Sequence, residues 1–123
     1  MKKCFIIKLI VYPFNILVSI GQSDKEIEKV LNNLGIFNGI DELIMDETVR
    51  GRTLMLDSNQ TIIRLKFNKN KNEFISLISH EIFHAATFIL YKIGLEFDIN
   101  KSDEAYAYLI EYLTKQILDE VYG

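Results

Sequence analysis

The segment from Asn72 to Ile93 constrains the fold of this chain more than any other feature. Its apolar residues recur at helical spacing and cover most of a helix's circumference, which is typical of a helix buried by other elements. We therefore predict one long buried helix, with Asn72 as its N-terminal cap and Gly94 at its end. Polar side chains on such a helix need partners, because burying them unpaired is costly.

Both histidines of the 123-residue chain, His80 and His84, lie in this segment, and Glu81 follows the first of them. Residues four apart lie one turn apart on the same helix face, so the two imidazoles can bind one metal ion. Glu81 lies about 100° further round, where a carboxylate can hold a water beside the metal and accept its proton. The pattern predicts a metal-dependent hydrolase site. The alternative is two ordinary, partly buried histidines with Glu81 on the surface.

A catalytic zinc usually has three protein ligands and one open position, so a third ligand is needed. The candidates are the carboxylates after the helix: Glu96, Asp98, Asp103, Glu104 and Glu111. Glu96 and Asp98 follow the helix too closely to fold back easily. Nineteen residues separate His84 from Glu104, which lies in the first turn of the last predicted helix. Asp103 remains an alternative, and acidic residues also favour a helix N-terminus for electrostatic reasons alone.

The motif His80-Glu81-x-x-His84 followed by Glu104 resembles the gluzincin clan of zincin metallopeptidases, whose third zinc ligand is a Glu on the next helix. The resemblance implies that Zn²⁺ is held by His80, His84 and Glu104 and that Glu81 is the general base for peptide hydrolysis. It also implies that the hairpin before the helix supplies the edge strand along which a peptide substrate lies.

The chain departs from the gluzincin pattern on its last helix. Gluzincins commonly place an Asp four residues after the ligand Glu, to orient a ligand His, and Tyr108 stands at that position. Glu111, on the same predicted helix face as Glu104, is the candidate for this orienting role. The residue that supports the oxyanion is not identified by the motif. The candidates are Tyr91, Tyr106, Tyr108 and Tyr112.

The chain also resembles a group of small, largely uncharacterised proteins of tailed phages and prophages. This resemblance covers about residues 50–120, through His80–Ala85 and Ser102–Leu109. A second hypothesis follows from the chain's length, which is very short for a peptidase. The site could instead belong to a non-catalytic, metal-stabilised interaction protein. In either case a partner chain or a second copy of this chain could complete the cleft.

The rest of the chain predicts a small sheet and two further helices. Alternating apolar residues and clusters of turn formers indicate the strands, and the capping-box spacing of Ser23 and Glu26 indicates a helix start. Strands are predicted over Phe5–Val11, Phe14–Ile20, Arg52–Leu56 and Thr61–Phe67, and helices over Ser23–Gly35 and Ser102–Val121. We predict one α+β domain over residues 1–123. It would be a minimal zincin-like domain with a small, mostly antiparallel sheet packed against the active-site helix and the C-terminal helix.

Composition and charge argue against several classes of function, among them nucleic-acid binding. Hydrophobic residues make up 49% and charged residues 25% of the chain, which is typical of a globular domain. The net charge of −3 and the dispersed basic residues argue against nucleic-acid binding. The apolar N-terminus is interrupted by Lys8 and Pro13, which argues against a signal peptide. A membrane span is not expected, because no uninterrupted apolar run approaches the length needed. With Cys4 as its single cysteine, the chain is expected in the cytoplasm.

Overall fold

Four strands form one mixed sheet in the computed structural model, which describes residues 1–56 and 59–123. The strands are β1 (Lys3–Lys8), β2 (Asn15–Ile20), β3 (Gly51–Met55) and β4 (Gln60–Leu65). β1 pairs antiparallel with β2, β3 pairs antiparallel with β4, and β2 and β4 pair in parallel. The order β1-β2-β4-β3 puts β1 and β3 at the edges. The predicted hairpin is confirmed, although its turn residues Asp57 and Ser58 lie outside the described residues.

Within the described residues, three α-helices and one short 3₁₀ helix complete the α+β fold. They are α1 (Asp24–Asn33), the 3₁₀ helix (Ile40–Leu43), α2 (Lys71–Lys92) and α3 (Asp103–Tyr122). The capping box of α1 is confirmed, because the Ser23 hydroxyl accepts from the Glu26 N–H and the Glu26 carboxylate accepts from the Ser23 N–H. The prediction that Asn72 caps α2 is wrong. Asn70 is the cap, and its side chain accepts from the N–H of Glu73 at 3.1 Å.

The side chain of Ser102 does not cap α3, although Ser102 directly precedes that helix as predicted. Its hydroxyl accepts from the Asp98 N–H at 2.7 Å and donates to the carbonyl of Glu96. It therefore stabilises the loop between α2 and α3 instead of the first turn of α3.

The core lies on both faces of the sheet. β2 and β4 are central, so their alternate side chains enter opposite layers. On one face Leu17 and Ile62 pack against α1 and the 3₁₀ helix. On the other face α2 and α3 pack over the sheet. The buried residues there include Ile16, Val18, Ile63, Leu65, Phe74, Ile78, Ile82, Ala85, Ile89, Leu109, Leu113 and Ile117.

One side of α2 faces solvent, so the prediction that this helix is buried nearly all round is wrong for that side. Phe83 is 56% exposed and Tyr91 is 65% exposed. The reason is the position of α2 over β3 and β4, where one flank meets α3 and the other meets the edge of the sheet. By length and composition alone α2 could span a membrane, but core helices of soluble proteins share this property.

Candidate metal centre

The two histidines converge on one side of α2. Their Nε2 atoms lie 3.2 Å apart, and the His80 side chain is 67% exposed. Two imidazole nitrogens bound to one tetrahedral zinc lie about 3.3 Å apart, given zinc–nitrogen bonds of about 2.0 Å. The pair therefore fits two ligands of one metal ion. Without a metal, the same separation lets one imidazole N–H donate to the other ring's nitrogen.

Glu81 is held between α2 and the edge strand β3. Its side chain is only 5% exposed, so the alternative that placed it on the surface is wrong. One carboxylate oxygen, Oε1, accepts from the Thr53 hydroxyl at 2.8 Å, and the other, Oε2, lies 3.9 Å from His80 Nε2. Thr53 thus binds the carboxylate oxygen nearer to β3, and the second oxygen lies on the side of His80.

Gly51 allows this close packing of β3 against Glu81. A Cβ atom added at Gly51 would lie 3.1 Å from Glu81 Oε2 and 3.0 Å from Leu77 Cδ1. Both separations are tighter than ordinary van der Waals contact, so a larger residue would displace the carboxylate or the strand. Sequence reasoning took Gly51 only as the mark of a turn and did not assign Gly51 or Thr53 to the site, because no motif in the strand relates them to Glu81.

Glu104 lies apart from the histidine pair. It is an exposed residue in the first turn of α3 and borders a cavity of about 630 Å³ with Tyr108 and the loop after β1. Within residues 1–56 and 59–123, no group of three or more His, Cys, Asp or Glu side chains is placed to hold a metal ion. The structure pairs His80 with His84 and puts Glu81 beside His80, but it does not add Glu104, so the assignment of Glu104 as a ligand stays a prediction.

The four candidate tyrosines have different surroundings. Tyr106 is buried, its hydroxyl donates to the Leu95 carbonyl at 2.7 Å, and burial raises its pKa. The Tyr112 hydroxyl reaches the Lys8 carbonyl at 3.4 Å. Tyr108 borders the cavity beside Glu104, whereas Tyr91 borders a cavity beside β3. Of the four candidates for supporting the oxyanion, Tyr91 is therefore the one that lies on the side of α2 facing the edge strand β3.

Comparisons with models of known protein families, with curated proteins and with solved structures find no match to this chain. The resemblance to gluzincins therefore rests on the motif residues alone.

Proposed function

We propose that this chain is a zinc-dependent metallopeptidase, with His80 and His84 as metal ligands and Glu81 as the general base. The single observation that carries the proposal is the 3.2 Å separation of the two Nε2 atoms beside a buried carboxylate. Two imidazoles and a carboxylate suit zinc among the common divalent ions. Glu104 is proposed as the third ligand on the gluzincin resemblance, with no support from its surroundings in α3.

In the proposed hydrolysis, Glu81 and Thr53 have different roles. Bound zinc would supply Lewis acidity, which polarises a carbonyl and lowers the pKa of water. Glu81 would accept the proton of the attacking water through Oε2, the oxygen that faces His80. Thr53 binds the other oxygen, Oε1, and so fixes the direction of the carboxylate. A positioned base of this kind contributes roughly 10²–10⁴-fold to a rate.

A second candidate function is a non-catalytic, metal-stabilised interaction protein. One observation favours it: among the described residues, no group of three or more His, Cys, Asp or Glu side chains is placed to hold a metal ion. A metal bound by His80 and His84 alone would have open positions that a partner chain could fill.

The Glu81→Gln variant tests which function is correct. Gln can still accept from Thr53, so the local packing is preserved while the base is lost. We expect both proteins to bind zinc, and the variant to cleave a tryptic peptide mixture at least about a hundredfold more slowly. Cleavage is measured by mass spectrometry, with His84→Ala as the control that loses the metal. Zinc binding without cleavage by either protein would favour the interaction protein.

A further inference from the structure

The histidine pair lies on the side of α2 that faces solvent, and it supplies only two ligands of a metal ion. The His80 side chain is 67% exposed, and its Nε2 atom lies 3.2 Å from that of His84. A structural zinc site has protein ligands in all four tetrahedral positions. Among the described residues, no His, Cys, Asp or Glu side chain completes a group of three that could hold a metal ion. Ligands from a second chain would complete the site.

The sequence of α2 lets a second copy of this chain supply those ligands by symmetry. A two-fold axis places the same surface patch of both chains in contact. If the axis passes α2 at position 82, midway between the two histidines, His80 of each copy lies opposite His84 of the other. The two helices then run antiparallel, and four imidazoles face one point on the axis.

The charges and side-chain sizes along α2 suit this antiparallel arrangement. Glu73 lies in the first turn of α2 and Lys92 in its last turn, nine and ten residues from the axis. Each acidic end therefore lies beside the basic end of the other copy, and the helix dipoles oppose each other. Positions 76 and 88, both six residues from the axis, also face each other, so the small exposed Ser76 leaves room for the Phe88 ring. This complementarity favours a second copy as the occupant of this side of α2.

The apolar surface on this side of α2 is too small to hold a dimer without a metal. Its large exposed apolar side chains are Phe83, Phe88 and Tyr91, which are 56%, 36% and 65% exposed. A fully buried aromatic side chain covers roughly 150–250 Å², so burying these exposed parts removes on the order of 300 Å² per copy from water. Stable interfaces bury about 1,200–2,000 Å² over both copies. Zinc must therefore supply much of the binding free energy, and the dimer should form only with zinc.

We propose that one zinc ion joins two copies of this chain through His80 and His84 of each copy, with the two α2 helices antiparallel. The inference names a partner for the metal centre and rests on the proposed function, because it requires the same histidines to bind zinc. Four imidazoles leave no open position for the attacking water, so the dimer is an inactive form of the proposed peptidase. Excess zinc gives each chain its own ion and separates the copies, so the ratio of zinc to protein sets the active fraction.

Sedimentation velocity of the purified protein tests the zinc bridge, with zinc at zero, one half and about ten equivalents per chain. We expect a monomer without zinc, a dimer with half an equivalent, and a monomer again at the highest ratio. Native mass spectrometry of the same samples should find one zinc per two chains in the dimer and one zinc per chain at excess. His84→Ala should stay monomeric at every ratio.

Charge reversal on α2 tests the antiparallel orientation. Glu73→Lys places like charges at both ends of the contact and should weaken the zinc-joined dimer about tenfold, because each dimer contains two such pairs. Lys92→Glu creates the same kind of contact from the other end and should act alike. Combining the two changes restores opposite charges and should recover the dimer. Circular dichroism checks that each variant is folded.

The outcomes separate this inference from the proposed function. A protein that binds zinc but stays monomeric at half an equivalent would overturn the bridge and leave the proposed metal centre. A dimer that forms without zinc, persists in His84→Ala or is not recovered by the double charge reversal would also overturn it. No zinc at any ratio would refute both proposals. A zinc-joined dimer, together with a monomer that cleaves no peptide at excess zinc, would refute the metallopeptidase and leave the bridge.

Discussion

At the residue scale, the hydrogen bond between Thr53 and Glu81 joins positions 28 apart in the sequence. The helical spacing of the motif was enough to predict that His80 and His84 share a face, because that relation is local. It could not predict the partner of Glu81, which depends on how the hairpin packs against α2. For the same reason, the alternative that placed Glu81 on the surface was wrong: the strand that buries this side chain is distant in the sequence.

Replacing Thr53 by Val should destabilise the protein by about 2 kcal/mol, because a buried carboxylate loses a hydrogen-bond donor while the side-chain shape is kept. Thr53→Ser keeps the hydroxyl and should lose clearly less. Urea unfolding of the three proteins measures both effects. A Val variant as stable as the wild type, or more stable than the Ser variant, would mean that the hydrogen bond from Thr53 to Glu81 contributes little to stability.

At the element scale, the sequence predicted where the strands and helices lie. It did not predict the parallel pairing of β2 with β4 or the residue at which α2 begins. Periodicity located the four strands that the described residues form, but the parallel pairing of β2 with β4 depends on contacts between distant segments. The start of α2 was misassigned because Asn70 and Asn72 are both good capping residues and only the backbone conformation distinguishes them. Asn70 has extended dihedral angles, φ −73° and ψ 110°, whereas Asn72 is already helical.

Asn70→Ala should therefore destabilise the protein by about 1 kcal/mol through the loss of its bond to the Glu73 N–H. Asn72→Ala is the matched control, since it removes the same side chain from an exposed position inside the first turn of α2. Its effect should be within about 0.5 kcal/mol of zero. Chemical denaturation compares the two variants, and an equal or larger loss in Asn72→Ala would contradict the cap at Asn70.

The contact between α1 and the sheet should depend on pH through Asp24. The buried Arg64 guanidinium donates to Asp24 and lowers the pKa of that carboxyl, and it also donates to the carbonyls of Leu43 and Gln22. A carboxyl whose pKa is lower in the folded state stabilises it above the unfolded pKa of about 3.9, and the effect is lost as the pH falls through the folded value.

Asp24→Asn should thus be less stable than the wild type at pH 7, and the difference should shrink as the pH falls below about 4. Urea midpoints at pH 7 and pH 3 measure this. The exposed Asp41 provides the control, because Asp41→Asn removes a carboxylate that has no ion pair among the described residues. A difference between Asp24→Asn and the wild type that stays constant with pH would contradict a role for the ionised carboxylate.

At the scale of the whole molecule, the α+β class was predictable because the strand and helix patterns were each clear. The placement of α3 was not, since it depends on a ten-residue loop between the helices, 93–102, whose path the Ser102 hydroxyl and the Asp98 backbone help to fix. The spacing to Glu104 suggested a third ligand, and the observed packing of α3 leaves that residue beside another cavity.

Zinc should raise the stability of the whole domain, because a ligand that binds the folded chain shifts the unfolding equilibrium. A hundredfold excess over the dissociation constant adds about 2.7 kcal/mol. Urea unfolding with and without zinc measures the gain, which should vanish when His80 and His84 are both replaced by Ala. A gain of the same size in that double variant would place the metal elsewhere on the protein.

Zinc binding by the histidine pair is tested by the zinc stoichiometry of the purified protein, measured by native mass spectrometry beside the His84→Ala and Glu104→Ala variants. We predict one zinc per chain in the wild type and none in His84→Ala, because the convergent nitrogens of His80 and His84 supply the binding pair. Weaker zinc binding by Glu104→Ala would support Glu104 as the third ligand. No zinc in the wild type after incubation with the metal, or unchanged binding in His84→Ala, would rule out a zinc site at His80 and His84.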